Sequence, residues 1–201
     1  MEPFLELVDA LTGAGVRFVL IGVAGANYYA PSGQMKFHTD DRDLFLPPDP
    51  GNLVAAWSAA ERLGFDLTMS REPLDYPRDL WLAEHVVRNR ALTRLERPDT
   101  LLVDFTLVMA GFEFDEVWSE RHSFVDDGVA VPTARLMHIA ESKARAGRPK
   151  DGHFLQTHEA ELREWMTPAE WLGVMREERR ARDVAARKDE GPSHPSPPEN
   201  K

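Results

Sequence analysis

The hydrophobic pattern of this 201-residue chain changes about two thirds of the way along it. Up to residue 131, short apolar runs typical of buried strands alternate with stretches in which apolar residues recur every three or four positions, as in amphipathic helices. The predicted strands are Phe18–Ile21, Thr39–Leu46, Phe65–Met69, Leu92–Leu95 and Leu101–Val108, with a hairpin over Phe124–Val131. The predicted helices between them are Pro3–Thr12, Val23–Ala30, Asn52–Leu63 and Phe112–Glu120, with a further short helix between residue 75 and the strand at Leu92.

From residue 133 onward the pattern predicts helices alone. The first covers Thr133–Ala146 and ends at Gly147, the second covers Asp151–Trp165, and the third begins at Thr167 with a capping-box sequence. We therefore predict an α/β (α+β) fold with a small mixed sheet flanked by helices and a C-terminal helical appendage. The predicted division is a core over 1–131, a helical region over 132–190 packed on the core, and a disordered Pro-rich tail over 191–201.

Composition and charge narrow the possible functions. Hydrophobic residues make up 42% of the chain and charged residues 29%, which is ordinary for a folded domain, and no apolar run reaches the length of a membrane span. A net charge of −10 disfavours broad binding of DNA through a basic face, because an acidic surface repels the phosphate backbone. The absence of cysteine excludes disulfides and thiolate chemistry and, with no apparent signal sequence, favours a cytoplasmic location.

Two aspartates open the second predicted strand. Side chains two residues apart in a strand point to the same side, so Asp41 and Asp43 are expected to project together. Two carboxylates ~4 Å apart repel by roughly 4 kcal/mol at an effective dielectric constant near 20. A divalent cation such as Mg²⁺ would offset this repulsion, and it commonly joins carboxylates to the phosphate oxygens of a substrate.

A third aspartate, Asp104, stands inside the apolar strand Leu101–Val108, where an unpaired carboxylate is costly to desolvate. On a neighbouring strand it would complete a three-carboxylate cluster able to hold two metal ions. Other interpretations stay open: Asp41 could cap a turn, Asp43 could pair with Arg42 or Lys36, and Asp104 could accept a hydrogen bond at a helix N-terminus.

These residues together resemble the nucleotidyltransferase superfamily with the DNA polymerase β fold. The shared pattern is a strand, Phe18–Ile21, that ends in Gly22, then a helix, then the sequence Thr39-Asp40-Asp41-Arg42-Asp43-Leu44, with Asp104 as the later acid. The segment Lys143-Ala144-Arg145-Ala146-Gly147-Arg148-Pro149-Lys150-Asp151 is similar to one found in minimal and AbiEii-like bacterial members.

The resemblance implies an activity and a site. The implied activity is the transfer of a nucleoside monophosphate from a nucleoside triphosphate (NTP) to an acceptor hydroxyl by two-metal catalysis with Mg²⁺ or Mn²⁺. Asp41, Asp43 and Asp104 would be the catalytic and metal-binding residues. The nucleotide-binding residues would be Gly22, Val23, Thr39, Lys143, Arg148 and Lys150.

The acceptor is left open by the resemblance. The possible acceptors are a tRNA end, a protein hydroxyl or a small molecule such as an aminoglycoside. A role in a toxin–antitoxin or defence system is also possible. Two departures from the family pattern, Val23 after the glycine and Arg42 between the aspartates, support an alternative. In that alternative the chain is a catalytically degenerate, antitoxin-like module that binds a partner.

Overall fold

The structure is a computed structural model that describes residues 2–31, 37–97 and 101–189. Its helices are α1 (Pro3–Gly13), α2 (Gly22–Asn27), α3 (Pro50–Arg62), α4 (Leu80–Arg88), α5 (Phe114–Glu120), α6 (Leu136–Ala146), α7 (Pro149–Thr157), α8 (Glu159–Trp165) and α9 (Pro168–Asp189). Its strands are β1 (Val19–Ile21), β2 (Asp41–Phe45), β3 (Asp66–Met69), β4 (Glu72–Pro73), β5 (Thr93–Arg97), β6 (Leu101–Thr106), β7 (His122–Asp126) and β8 (Val129–Thr133).

The strands form one mixed sheet in the order β4-β3-β5-β6-β2-β1-β8-β7. Its centre combines both kinds of pairing, since β2 is parallel to β6 and antiparallel to β1, while β1 is parallel to β8. The predicted fold class, a mixed sheet flanked by helices with a helical C-terminal part, is therefore confirmed.

Helices cover the two faces of the sheet unequally. On one face, α1, α3 and α4 pack against the strands that lie between β3 and β8 in the order of the sheet. They enclose a core that includes Trp57 and Phe105, both almost fully buried. On the opposite face, a second core contains Val19, Ile21 and Phe45 together with side chains from α2 and from the helices α5 to α9. The half of this second face formed by β3, β5 and β6 carries polar side chains and is partly exposed.

Local sequence signals explain several helix ends. The Asp49 side chain accepts a hydrogen bond from the Asn52 amide at the start of α3, as an N-cap residue does. At the start of α9, Thr167 and Glu170 form the predicted capping box, each side chain accepting a hydrogen bond from the other residue's amide. Gly147 ends α6 in the left-handed conformation, with a φ of 61°.

One predicted helix is wrong in the structure. The segment Asp151–Trp165 lies in two helices, α7 and α8, which meet at His158 in a non-helical conformation. This break lets residues from both helices surround one buried ring, because Phe154, His158 and Trp165 all contact Phe37. The strand β4 was also not predicted.

Two other expectations concern the chain as a whole. Along the residues that the structure describes, no helix combines the length and the apolarity that crossing a membrane requires. The predicted tail over 191–201 lies outside the described residues. The boundary between residues 131 and 132 falls within β8 and stays a prediction.

Candidate active site

The three aspartates converge at the centre of the sheet. The parallel pairing of β2 with β6 places Asp43 directly beside Asp104, and Asp41 lies two residues earlier on the same face of β2. One carboxylate oxygen from each residue lies within 4.8 Å of the other two. Three carboxylates this close form an oxygen-rich donor set of the kind that Mg²⁺ and Mn²⁺ prefer.

The surroundings of Asp43 disfavour its charged form. Its pKa is raised from 3.8 to about 6, mainly by burial and then by the charges of Asp41 and Asp104, while the charges of Lys143 and Lys150 act in the opposite direction. A carboxylate held at this cost is compensated when a cation binds. The donor set therefore fits a divalent metal ion.

Asp41 and Asp104 each have a defined partner. The hydroxyl of Thr39 donates to Oδ1 of Asp41 at 2.9 Å, so this predicted residue orients a carboxylate of the cluster. Arg94 on β5 donates through Nε and Nη2 to the two oxygens of Asp104, at 2.7 and 2.8 Å. The interpretation of Asp104 as a helix-capping residue is replaced by this ion pair.

Gly22 is required by the position of Asp43. It has a φ of 67°, and a Cβ atom built on it would lie only 2.2 Å from Oδ2 of Asp43. A side chain at this position would therefore displace the carboxylate as well as strain the backbone. The next residue, Val23, is partly buried and packs against the second core.

Arg42 lies on the opposite face of β2 from the cluster. Its guanidinium is 5.8 Å from the ring centroid of Phe4 in α1, and it donates to the backbone carbonyl of Asp41. The structure shows no pairing of Arg42 with the carboxylate of Asp43 among the described residues. The other suggested partner of Asp43, Lys36, lies outside the described residues.

A cavity of about 330 Å³ connects the acid cluster to basic side chains. Gly22 and Asp43 form one wall, Lys143 and Arg148 from the region of α6 and α7 form another, and Met109 contributes apolar surface. Among the described residues, Val23 and Lys150 do not line this cavity. The structure thus brings together three elements of the predicted pattern that are distant in sequence: the glycine after β1, the strand β2 and the basic segment.

A buried aspartate organises the basic side of the cavity. Asp151 is only 1% exposed. One of its carboxylate oxygens accepts a hydrogen bond from Nζ of Lys143 at 3.4 Å, and the other accepts one from Nε of Arg148 at 2.5 Å. Burial lowers the pKa of Lys143, whereas Asp151 raises it. Nζ of Lys143 also lies 4.8 Å from the ring centroid of Phe154.

The other basic residues of the segment lie elsewhere. Lys150 is exposed and acts on the site through its charge, which lowers the pKa of Asp43. Arg145 donates to the carbonyl of Gly111 and pairs with Glu141 and Glu177, so it connects α6 to α9 and to the loop before α5.

Sequence reasoning missed the roles of Arg94 and Asp151. The sequence does carry a signal for Arg94, because β5 and β6 are two strands separated by three residues. Antiparallel pairing of two strands so close in sequence brings their residues into register, and the observed register places Arg94 opposite Asp104. Asp151 belongs to the basic segment, but its burial depends on the packing of α6 against α7.

Comparison with known proteins supports the fold. No protein-family model and no curated protein matches the chain. The crystal structure of ANT(2'')-Ia in complex with adenylyl-2''-tobramycin aligns with 90% of this chain and 95% of its own, at 17% identity and a TM-score of 0.54. The solution structure of the antibiotic-resistance factor ANT(2'')-Ia aligns with 93% of this chain and 95% of its own, at 17% identity and a TM-score of 0.51.

ANT(2'')-Ia is an aminoglycoside nucleotidyltransferase. This chain has the nucleotidyltransferase fold. The likeness extends over nearly the whole of both chains, so it includes the helical C-terminal part as well as the sheet. The narrower resemblance to minimal and AbiEii-like members stays a prediction.

Proposed function

We propose that this protein is a metal-dependent nucleotidyltransferase that transfers a nucleoside monophosphate from an NTP to an acceptor hydroxyl and releases pyrophosphate. The observation that carries the proposal is the position of Asp43. Its carboxylate belongs to the three-acid cluster and also lines the cavity that contains Lys143 and Arg148. Such a position joins a metal-binding group to a binding site for phosphates.

Each residue has a defined part in this proposal. Asp41, Asp43 and Asp104 would hold Mg²⁺ or Mn²⁺, and the bound metal would supply positive charge that stabilises the phosphates and the attacking oxygen. Lys143 and Arg148 would bind the oxygens of the leaving pyrophosphate, held in place by Asp151. Lys150 would add longer-range attraction for the triphosphate.

The transfer itself is a substitution at phosphorus. The acceptor oxygen forms a bond to the α-phosphorus while the bond from that phosphorus to the oxygen bridging to the β-phosphate breaks. The electron pair of the broken bond leaves with pyrophosphate, and the hydroxyl proton passes to water. The protein would contribute by holding the triphosphate in the cavity lined by Lys143 and Arg148, while Gly22, which has no side chain, lets the Asp43 carboxylate keep its position.

The acceptor would approach over the exposed half of the sheet. The basic side chains lie toward β1 and α6, so the opposite side of the cluster, formed by β5 and β3, is where a second substrate has access. Exposed Asp66 and Glu96 lie on this face. These acids favour a small, amine-bearing polyol over a polyanion, and ANT(2'')-Ia was crystallised with an adenylylated molecule of that kind.

A transfer assay tests the proposal. Each of the four NTPs, labelled at the α-phosphate, is incubated with the protein, Mg²⁺ or Mn²⁺, and one of three acceptors: an aminoglycoside panel, bulk tRNA or soluble cell protein. We expect metal-dependent labelling of an aminoglycoside by the wild type. The double variant Asp41→Asn/Asp43→Asn should not label, whereas Asp40→Asn, which removes a neighbouring exposed acid, should retain activity.

Other outcomes of this assay have defined meanings. Labelling of tRNA or protein alone would refute the small-molecule acceptor and retain the transferase. Equal labelling by the wild type and the double variant would refute the site. No labelling together with no metal-dependent binding of any NTP would support the alternative of a partner-binding module without catalysis.

A further inference from the structure

Arg94 occupies both oxygens of one carboxylate in the proposed metal site. It lies directly opposite Asp104 in the antiparallel pair of β5 and β6, and its Nε and Nη2 atoms reach Oδ1 and Oδ2. The Asp104 side chain is only 6% exposed, whereas the Arg94 side chain is 39% exposed. A bidentate ion pair thus joins the buried carboxylate to a guanidinium that lies at the solvent-exposed edge of the site.

The three carboxylates are therefore unequal. Both oxygens of Asp104 accept hydrogen bonds from a positively charged guanidinium, whereas Asp41 accepts a hydrogen bond from the neutral hydroxyl of Thr39. The positive charges of Lys143 and Lys150 act on Asp43 from a distance, but within the described ranges 2–31, 37–97 and 101–189 its carboxylate forms no ion pair, and Lys143 pairs with Asp151. The negative charges of Asp41 and Asp43 are therefore available to a cation, whereas the charge of Asp104 is largely offset by its ion pair with Arg94.

We propose that Arg94 is a positioning residue that makes the two cation sites unequal in affinity. This inference rests on the proposed function. Asp41 and Asp43 alone bind the first divalent ion, and Arg94 weakens the binding of a second ion that must share Asp104. Each oxygen of Asp104 has a second acceptor position that remains available beside the guanidinium, so the second site is weakened without being blocked.

Electrostatics gives the size of the effect. An ion bound to an Asp104 oxygen would lie at most ~5 Å from the nearest Arg94 nitrogen, given ordinary coordination distances of about 2.1 Å. Even in the dielectric of water, repulsion between a dication and a guanidinium at that distance weakens binding by roughly tenfold. A second ion would then bind well only when a nucleotide supplies further oxygens.

Direct measurement of Mn²⁺ binding tests this inference. The full chain is titrated with Mn²⁺ alone, and bound ions are counted by electron paramagnetic resonance. We expect one ion to bind tightly and a second at least tenfold more weakly. Arg94→Gln should tighten the second site by roughly tenfold. Arg94→Lys keeps the charge and loses the bidentate geometry, so its affinity for the second Mn²⁺ ion should lie between those of Arg94→Gln and the wild type.

A matched arginine provides the control. Arg97 lies on the same strand, faces the opposite side of the sheet and pairs with Glu6, so Arg97→Gln removes the same charge without touching the cluster. It should leave both Mn²⁺ sites unchanged. Thermal denaturation of each variant distinguishes a folding defect from an effect on metal binding. Lower stability with an unchanged ratio of the two Mn²⁺ affinities would identify Arg94 as merely structural and overturn the inference.

Further results would also be decisive. A second site that stays equally weak or becomes weaker in Arg94→Gln overturns this inference alone and leaves the proposed transferase intact. A wild-type protein that binds no Mn²⁺ overturns both. In the transfer assay, Arg94→Gln should reach half-maximal rate at a lower Mn²⁺ concentration than the wild type.

Discussion

Asp43→Asn should stabilise the metal-free protein at neutral pH. Burial, with the charges of Asp41 and Asp104, raises the pKa of Asp43 from 3.8 to about 6. The folded protein therefore holds a proton on this group between those two values, where the unfolded chain has released it. The stability of the folded state falls as pH rises through this window, and the full cost is present above pH 6.

The magnitude follows from the size of the shift. About two pKa units at about 1.4 kcal/mol each, reduced for the part of the side chain that water reaches, give about 2–3 kcal/mol. An asparagine has nearly the same shape and no charge, so it should recover this free energy of unfolding. For a domain of this size the melting temperature should rise by about 5–10 °C at pH 7.5.

The assay is urea denaturation of the wild type and Asp43→Asn in EDTA at pH 4 and pH 7.5. The variant should be more stable at pH 7.5, and the difference should nearly vanish at pH 4, where both side chains are uncharged in the folded protein. Asp40→Asn, which changes an exposed acid, should show little difference at either pH. An Asp43→Asn variant that is no more stable than the wild type at pH 7.5 would refute the electrostatic reasoning.

Three more predictions follow from the same site. Added Mn²⁺ should raise the melting temperature of the wild type at pH 7.5 and lose most of this effect at pH 5, below the Asp43 pKa of about 6; equal shifts at both pH values would contradict it. Gly22→Ala should weaken Mn²⁺ binding by roughly tenfold or more because the added methyl displaces Asp43, while Gly13→Ala, with no atom within 4 Å of the new Cβ, should bind normally. Asp151→Asn should lower the free energy of unfolding in urea by about 3 kcal/mol by leaving Lys143 without its buried partner, and adding Lys143→Met should recover most of the loss.

The acid cluster could be predicted because each part has a local physical cause. Alternation along a strand places Asp41 and Asp43 on one side, and the cost of desolvation marks Asp104 as a residue that needs a partner. Both inferences hold without knowledge of the sheet. What the sequence left open was the strand order, and the parallel pairing of β2 with β6 supplies it by setting Asp43 beside Asp104.

The missed features depend on contacts between distant parts of the chain. The register of β5 against β6 decides that Arg94 meets Asp104, and a shift of one residue would have turned its side chain to the other face. The break at His158 has no glycine or proline to announce it, and arises where two helices pack around Phe37. Neither feature is visible in the spacing of apolar residues.

The uneven covering of the sheet has a consequence for how this protein can change. On the exposed half of the face, side chains such as Thr68 and Glu96 lie on strands whose hydrophobic contacts are made on the other side. Substitutions there typically alter stability by less than about 0.5 kcal/mol. The surface proposed to meet the acceptor can therefore change at little cost in stability, while the residues proposed to bind metal and phosphate are held by the core. On the proposed function, acceptor preference could then change without altering the proposed active site.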